Sequence, residues 1–139
     1  MSKSLVLLAS CELAHGVAQG KCAWCGAELP SRRRTWCSDR CGDAFWANHW
    51  WSVARRTVRR RDRYRCTRCG HKPPGRTHPK YRTLRKTDRL EVNHITPALG
   101  DHRRLSCAHH LENLETLCLA CHQTYTSSQQ RQRRAARTT

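Results

Sequence analysis

Apolar residues follow a helical period in one stretch of the chain and alternate with polar ones in two others. Cys41, Ala44, Phe45, Trp51, Ala54 and Val58 fall near a 3.6-residue spacing. Ser38 and Asp39 stand where their side chains can cap free N–H groups. No Pro or Gly interrupts the chain from Asp43 to Arg61. One long helix over about residues 39–60 is predicted. Leu90-Glu91-Val92 alternates in the manner of a strand and runs into Asn93-His94-Ile95. Leu114-Glu115-Thr116-Leu117 alternates again. Two short strands are predicted, pairing antiparallel against a last helix. That helix opens at Cys118-Leu-Ala-Cys121-His122 and runs to about residue 134. Residues 5–9 fit a short strand or the first turn of a helix. Residues 72–86, rich in Pro, Gly, Lys and Arg, read as a mobile loop. Arg137, Thr138 and Thr139 are expected to fray.

The chain repeats its opening. Cys22-Ala-Trp-Cys25-Gly26 is followed by a basic loop and then Cys37-Ser-Asp-Arg-Cys41. Cys66-Thr-Arg-Cys69-Gly70 is followed, after a longer linker, by Cys118-Leu-Ala-Cys121. Two thiolates three residues apart on one tight turn can point at one ion, and zinc takes four such ligands tetrahedrally. Cys22, Cys25, Cys37 and Cys41 form one set, and Cys66, Cys69, Cys118 and Cys121 a second. In each, the later pair sits where a helix begins, which favours thiolate charge. Two structural Zn²⁺ are expected. A disulfide scaffold is the competing reading. The apolar run Leu5, Val6, Leu7, Leu8 and Ala9 is too short for a secretion signal, so a reducing, cytoplasmic compartment and metal ligation are expected instead. No stretch approaches the roughly 20 apolar residues of a membrane span. Cys11 and Cys107 are left over. Cys11 reads as a small thiol. Cys107 stands beside His109 and His110, but adjacency alone is a weak argument for a metal role.

Charge narrows the partner. The 139 residues hold 27 Lys+Arg against 10 Asp+Glu, a net charge of +17. That surplus calls for a polyanion, most simply nucleic acid. Arginines run along the predicted long helix and its exit (Arg55, Arg56, Arg59, Arg60, Arg61, Arg63, Arg65) and along the last helix (Arg131, Arg133, Arg134, Arg137). A third basic run is Arg76, Lys80, Arg82, Arg85 and Lys86. Arg55, Arg59, Arg63, Arg131 and Arg134 are taken as phosphate contacts, which position a substrate without reading its sequence. Trp46 and Trp50, one turn apart, could stack on a base. Packing onto a small core is the better expectation, since apolar residues make up only 37% of the chain.

Neither Cys set uses a histidine. Of nine histidines, His94, His110 and His122 stand in informative places. His94 closes the first strand and His122 opens the last helix, so strand pairing should turn the two toward each other. One could serve as a general base near neutral pH. The other, with a neighbouring oxygen ligand, could hold one divalent ion beside a phosphate.

Leu90-Glu-Val-Asn-His-Ile95, Glu112-Asn-Leu-Glu-Thr-Leu-Cys118 and Cys121-His122 resemble the three consecutive motifs of the HNH (His-Me finger) endonucleases. The upstream CxxC and the final CxxCH are similar to the zinc-containing branch of that family, which includes many short phage and bacterial proteins. The resemblance runs over about residues 61–134. It implies His94 as the general base. It implies Asn113 as the residue that orients the loop and the His94 side chain, and His122 as a ligand of a catalytic ion. That ion would be Mg²⁺ or Mn²⁺, with Zn²⁺ or Ni²⁺ as alternatives. The family places an Asp or His before the base, where this chain has Asn93. An amide oxygen can still coordinate a hard cation but brings no charge.

The expected fold is α+β. A treble-clef-like zinc finger with a long helix occupies residues 1–60. A zinc-stabilised ββα-metal core with a basic C-terminal helix occupies residues 61–139. The expected activity is metal-dependent hydrolysis of phosphodiester bonds in DNA, double-stranded by preference. A non-catalytic, double-zinc nucleic-acid-binding protein is the alternative.

Overall fold

The two CxxCG segments fold alike. In the first, the Cys22 N–H donates to the Ala27 carbonyl at 2.7 Å and the Gly26 N–H to the Cys22 carbonyl at 2.8 Å. In the second, Cys66 donates to His71 at 2.8 Å and Gly70 to Cys66 at 2.9 Å. Gly26 and Gly70 both sit at φ 75°. That is left-handed backbone, which glycine adopts without a Cβ clash. The repeat in sequence is therefore a repeat of local structure.

The structure, a computed structural model, describes residues 3–85, 88–98 and 100–137. Its helices and strands, in chain order, are α1 (Lys3–Ser10), α2 (Asp39–His49), α3 (Trp51–Arg61), β1 (Leu90–His94), β2 (Leu114–Cys118) and α4 (Leu119–Arg137). The fold is α+β, with the strands in one two-stranded antiparallel sheet. Leu90 pairs with Cys118, Asn93 with Glu115 and His94 with Leu114. Residues 5–9 are helical. The basic linker contains a 3₁₀ turn, Pro79–Thr83. Lys86 of the basic run, and Thr138 and Thr139 at the expected fraying end, lie outside the described residues. Among those described, no helix is long and apolar enough to cross a membrane.

The chain divides into two units. The first holds the chain up to Thr57 together with Thr96–Asn113. Its core gathers Leu8, Ala23 and Phe45, with Trp24, Trp36 and Leu105 packed against them. Phe45 stacks on His49, the ring centroids 4.5 Å apart. The second unit holds Val58–Ile95 and the chain from Leu114 on. Its core is Leu90, Leu117 and the cysteines Cys66, Cys118 and Cys121. Neither cluster is large, and small cores of this kind commonly need a metal to hold them.

The predicted single helix over residues 39–60 is in fact two. Ser38 caps α2 as expected, its hydroxyl accepting from the Cys41 N–H. At Trp50 the backbone turns extended, φ −105° and ψ 115°. The cause is a tertiary bond. In a continuous helix the His49 carbonyl would accept from Val53. Here the Ser106 N–H takes it at 3.1 Å, and Val53 and Ala54 donate to the Trp50 carbonyl instead.

Candidate functional site

Each cysteine set closes into a cluster. The four sulfurs of Cys22, Cys25, Cys37 and Cys41 lie within 4.8 Å of one another, as do those of Cys66, Cys69, Cys118 and Cys121. Cys25 and Cys37 are 3.5 Å apart, Cys37 and Cys41 3.6 Å, and Cys69 and Cys118 3.6 Å. Zinc about 2.3 Å from each thiolate would separate neighbouring sulfurs by about 3.8 Å, so each cluster can hold one ion. The electrostatics fit a cation as well. Burial pushes the Cys22 and Cys66 thiols up, but backbone N–H donors outweigh it and bring each down to about 6. Those donors come from Cys25, Cys37 and Trp24 for Cys22, and from Cys118, Cys69 and Arg68 for Cys66. The Cys25 and Cys41 thiols push Cys37 up to about 12, and Cys118 and Cys69 do the same to Cys121. A second and third anion in so small a space is unfavourable until a dication offsets it.

The second cluster builds the floor of the hairpin. Thr67, inside the knuckle, donates its N–H to the Thr116 carbonyl at 2.9 Å. Cys118 ends β2 and Cys121 lies in the first turn of α4, so the same four residues set the start of that helix. Asp62, just past α3, accepts the Thr116 N–H at 2.9 Å and pairs with Arg61 at 2.8 Å.

Side chains alternate along β1. Glu91 and Asn93 share one face, and His94 takes the alternate position at the strand's end, 9% exposed. On the Glu91 face, the His122 Nδ1 lies 2.6 Å from a Glu91 carboxylate oxygen. The Asn93 amide donates to Glu115 at 3.2 Å. Glu115 also accepts from Arg68 at 2.9 Å, and the Arg68 guanidinium lies 4.5 Å over the Tyr125 ring. Asn93 and His122 each turn to a carboxylate. The residue after His94 is held from α4: the Tyr125 hydroxyl and the Gln129 amide both donate to the Ile95 carbonyl.

Asn113 holds the chain between the strands. Its amide oxygen accepts the Thr96 N–H at 2.7 Å, and its amide nitrogen donates to the Thr96 and Ala108 carbonyls at 3.0 and 2.9 Å. Thr96 follows His94 by two residues. Of the singled-out arginines, Arg55, Arg63, Arg131 and Arg134 are exposed. Arg59 is half-buried and donates to the Leu90 carbonyl at 3.0 Å. Trp24 and Trp36 pack into the first unit. Trp46 and Trp50 stand partly exposed, edge to face at 6.4 Å.

The family model of the HNH endonucleases matches residues 66–128. The likeness to an HNH domain is thus confined to residues 66–128. The match begins at the second knuckle, takes in the hairpin and ends in α4. No curated protein and no solved structure matches the chain. A match to this family implies nucleic acid as the partner class, which the surplus of basic residues suits. The sequence reading passed over Glu91 and Glu115, the two carboxylates on the Asn93 face. Strand alternation carried a signal for Glu91, which stands two residues from Asn93. Glu115 could be found only through the register.

Proposed function

We propose that the protein is a metal-dependent HNH endonuclease that hydrolyses DNA phosphodiester bonds, duplex DNA by preference, in a cytoplasmic compartment. The observation that carries this reading is the HNH match over residues 66–128, with His94 ending one strand of the hairpin and His122 in the first turn of the helix behind it. His94 is the general base. It takes a proton from water as the water oxygen attacks phosphorus in line, and the 3′ oxygen departs. Asn113 fixes the loop after His94. His122 and the Asn93 amide oxygen would hold one divalent ion, Mg²⁺ or Mn²⁺. That ion supplies positive charge at the scissile phosphate. Glu91 orients His122 by accepting from Nδ1, which leaves Nε2 as the ligand atom. The Cys66–Cys69–Cys118–Cys121 cluster would hold a structural zinc that fixes the hairpin to α4. Residues 1–60 would form a treble-clef-like finger around the Cys22–Cys25–Cys37–Cys41 zinc with its helices. Arg55, Arg59, Arg63, Arg131 and Arg134 would bind phosphates, Arg59 only by exchanging its bond to Leu90.

The test is nicking of supercoiled plasmid across a Mg²⁺ and Mn²⁺ titration. Wild type should nick, and His94→Ala should lose roughly 10²–10⁴-fold in rate, the usual size of a general-base contribution. Equal rates, or none at any metal concentration, would refute the hydrolase reading. A second reading, a nucleic-acid-binding protein that does not cleave, draws on Asn93. The residue before the base carries no charge, and its amide is engaged with Glu115.

A further inference from the structure

Cys11 and Cys107 belong to neither four-cysteine cluster, yet the fold brings them together with two histidines. Within the first unit, the Cys11 and Cys107 sulfurs and one ring nitrogen each of His49 and His110 all lie within 4.8 Å of one another. The Cys11 Sγ is 3.2 Å from the His49 Nε2 and 3.5 Å from the His110 Nε2. The two Nε2 atoms are 3.2 Å apart. A tetrahedral zinc with Zn–N of about 2.0–2.1 Å and Zn–S of about 2.3 Å would give N–N edges of about 3.3–3.4 Å and S–N edges of about 3.6 Å. The observed edges fall within about 0.4 Å of these values, against about 0.3 Å in the two cysteine clusters. We propose that Cys11, His49, Cys107 and His110 form a third, structural zinc site of Cys₂His₂ type, which pins the excursion between the two HNH strands to the N-terminal unit.

A central cation serves this cluster better than hydrogen bonding does. The His49 Nδ1 lies 2.8 Å from the Phe45 carbonyl, which can only accept, so Nδ1 carries the proton. With the proton on Nδ1, an imidazole has one lone pair, on Nε2. Both the Cys11 sulfur and the His110 nitrogen crowd that lone pair at 3.2 Å. A single acceptor cannot serve two donors well, whereas a central cation is served by all four groups. A ring nitrogen donating to a backbone carbonyl while its partner faces the ion is the usual arrangement of a histidine ligand.

The backbone is prepared to present these groups. Cys107 and His110 are three residues apart, the knuckle spacing, on a 3₁₀ turn whose Ser106 hydroxyl accepts the Ala108 N–H. The His110 N–H closes the turn onto the Cys107 carbonyl. His49 is the last residue of α2, and its carbonyl is the one taken by Ser106. Asn48 beside it accepts the Leu111 N–H at 3.0 Å. Cys11 follows directly on α1. With four protein ligands, two of them buried, the site has no open position, as structural zinc requires. All ten cysteines of the chain then have a ligand role.

The test is zinc content of the full chain by native mass spectrometry. Wild type should carry three zinc ions, Cys107→Ser and His110→Ala two, and His110→Cys three again. Zinc X-ray absorption of the wild type should require nitrogen as well as sulfur neighbours, and Cys107→Ser should remove the nitrogen. The absorption measurement needs no variant to fold. Two zinc ions in the wild type, a sulfur-only first shell, or three ions retained in both Cys107→Ser and His110→Ala would overturn the proposal.

Discussion

At the proposed catalytic ion the charge sits beside the expected position rather than at it. Asn93 is neutral, while Glu91 and Glu115 occupy the same face of the hairpin and engage His122 and Asn93. If Glu91 orients His122, Glu91→Gln should raise the Mn²⁺ concentration for half-maximal nicking by roughly 10–100-fold, the range typical of outer-shell partners of a metal ligand. Saturating Mn²⁺ should recover most of the rate. An unchanged titration curve would reduce Glu91 to a neighbour of the site. Asn93→Asp makes the opposite case. It restores a charged ligand but replaces the amide donor to Glu115 with a second carboxylate. Metal-free protein should then melt lower than wild type, through like-charge repulsion. The half-maximal Mn²⁺ concentration should fall on the order of tenfold, because ligand charge raises affinity for hard cations. Thermal melts with and without Mn²⁺, beside the nicking titration, read both effects. The candidates His94, Asn113 and His122 could be named from sequence because their order along the chain is itself the motif. Glu115 was not, because only pairing across the sheet brings it to Asn93. His49 was silent for a similar reason: it meets Cys11 and His110 across 38 and 61 residues of chain.

The hairpin and the last helix could be read from alternation and from the cysteine pair that opens α4, since both signals are local. The division of the long helix at Trp50 could not. Its apolar spacing is helical on both sides of the break, and the break goes with a distant N–H, that of Ser106, taking the His49 carbonyl. The joint between α3 and β2 was equally hidden, though it holds up the site. Asp62 accepts the Thr116 N–H, and Thr116 is fully buried. Asp62→Ala should leave that donor unpaired and cost about 1–3 kcal/mol, measured by chemical denaturation of zinc-loaded protein. Burial raises the Asp62 carboxyl, but hydrogen bonds from Arg61 and Thr116 outweigh it and hold it below the usual carboxylate range. Its contribution is therefore complete above about pH 4 and lost only as pH falls through the depressed folded value. The gap between wild type and Asp62→Ala should be flat from neutral pH down to that point.

Over the whole chain the dominant quantity is the charge of +17, which was plain from composition. Composition did not say which basic groups are exposed and which are held against the backbone. Arg59 is committed to the Leu90 carbonyl, whereas Arg131 lies exposed on the solvated length of α4 and Arg134 near its end. These groups should separate in a salt titration of duplex binding. Each neutralised phosphate contributes a slope of about −0.9 to the plot of log affinity against log salt. Replacing Arg131 and Arg134 together with Ala should make that slope shallower by about 1.8 if both touch phosphate, and weaken unrelated sequences alike. Arg59→Ala should instead lower the melting temperature, since it removes a bond to the β1 backbone, and leave the slope nearly unchanged. A double variant with the wild-type slope would place the nucleic-acid path elsewhere, with Arg55 and Arg63 the next exposed arginines to replace. The two readings of function share this prediction, because phosphate contact is common to a nuclease and to a binder. Only the metal-dependent loss of nicking in His94→Ala divides them.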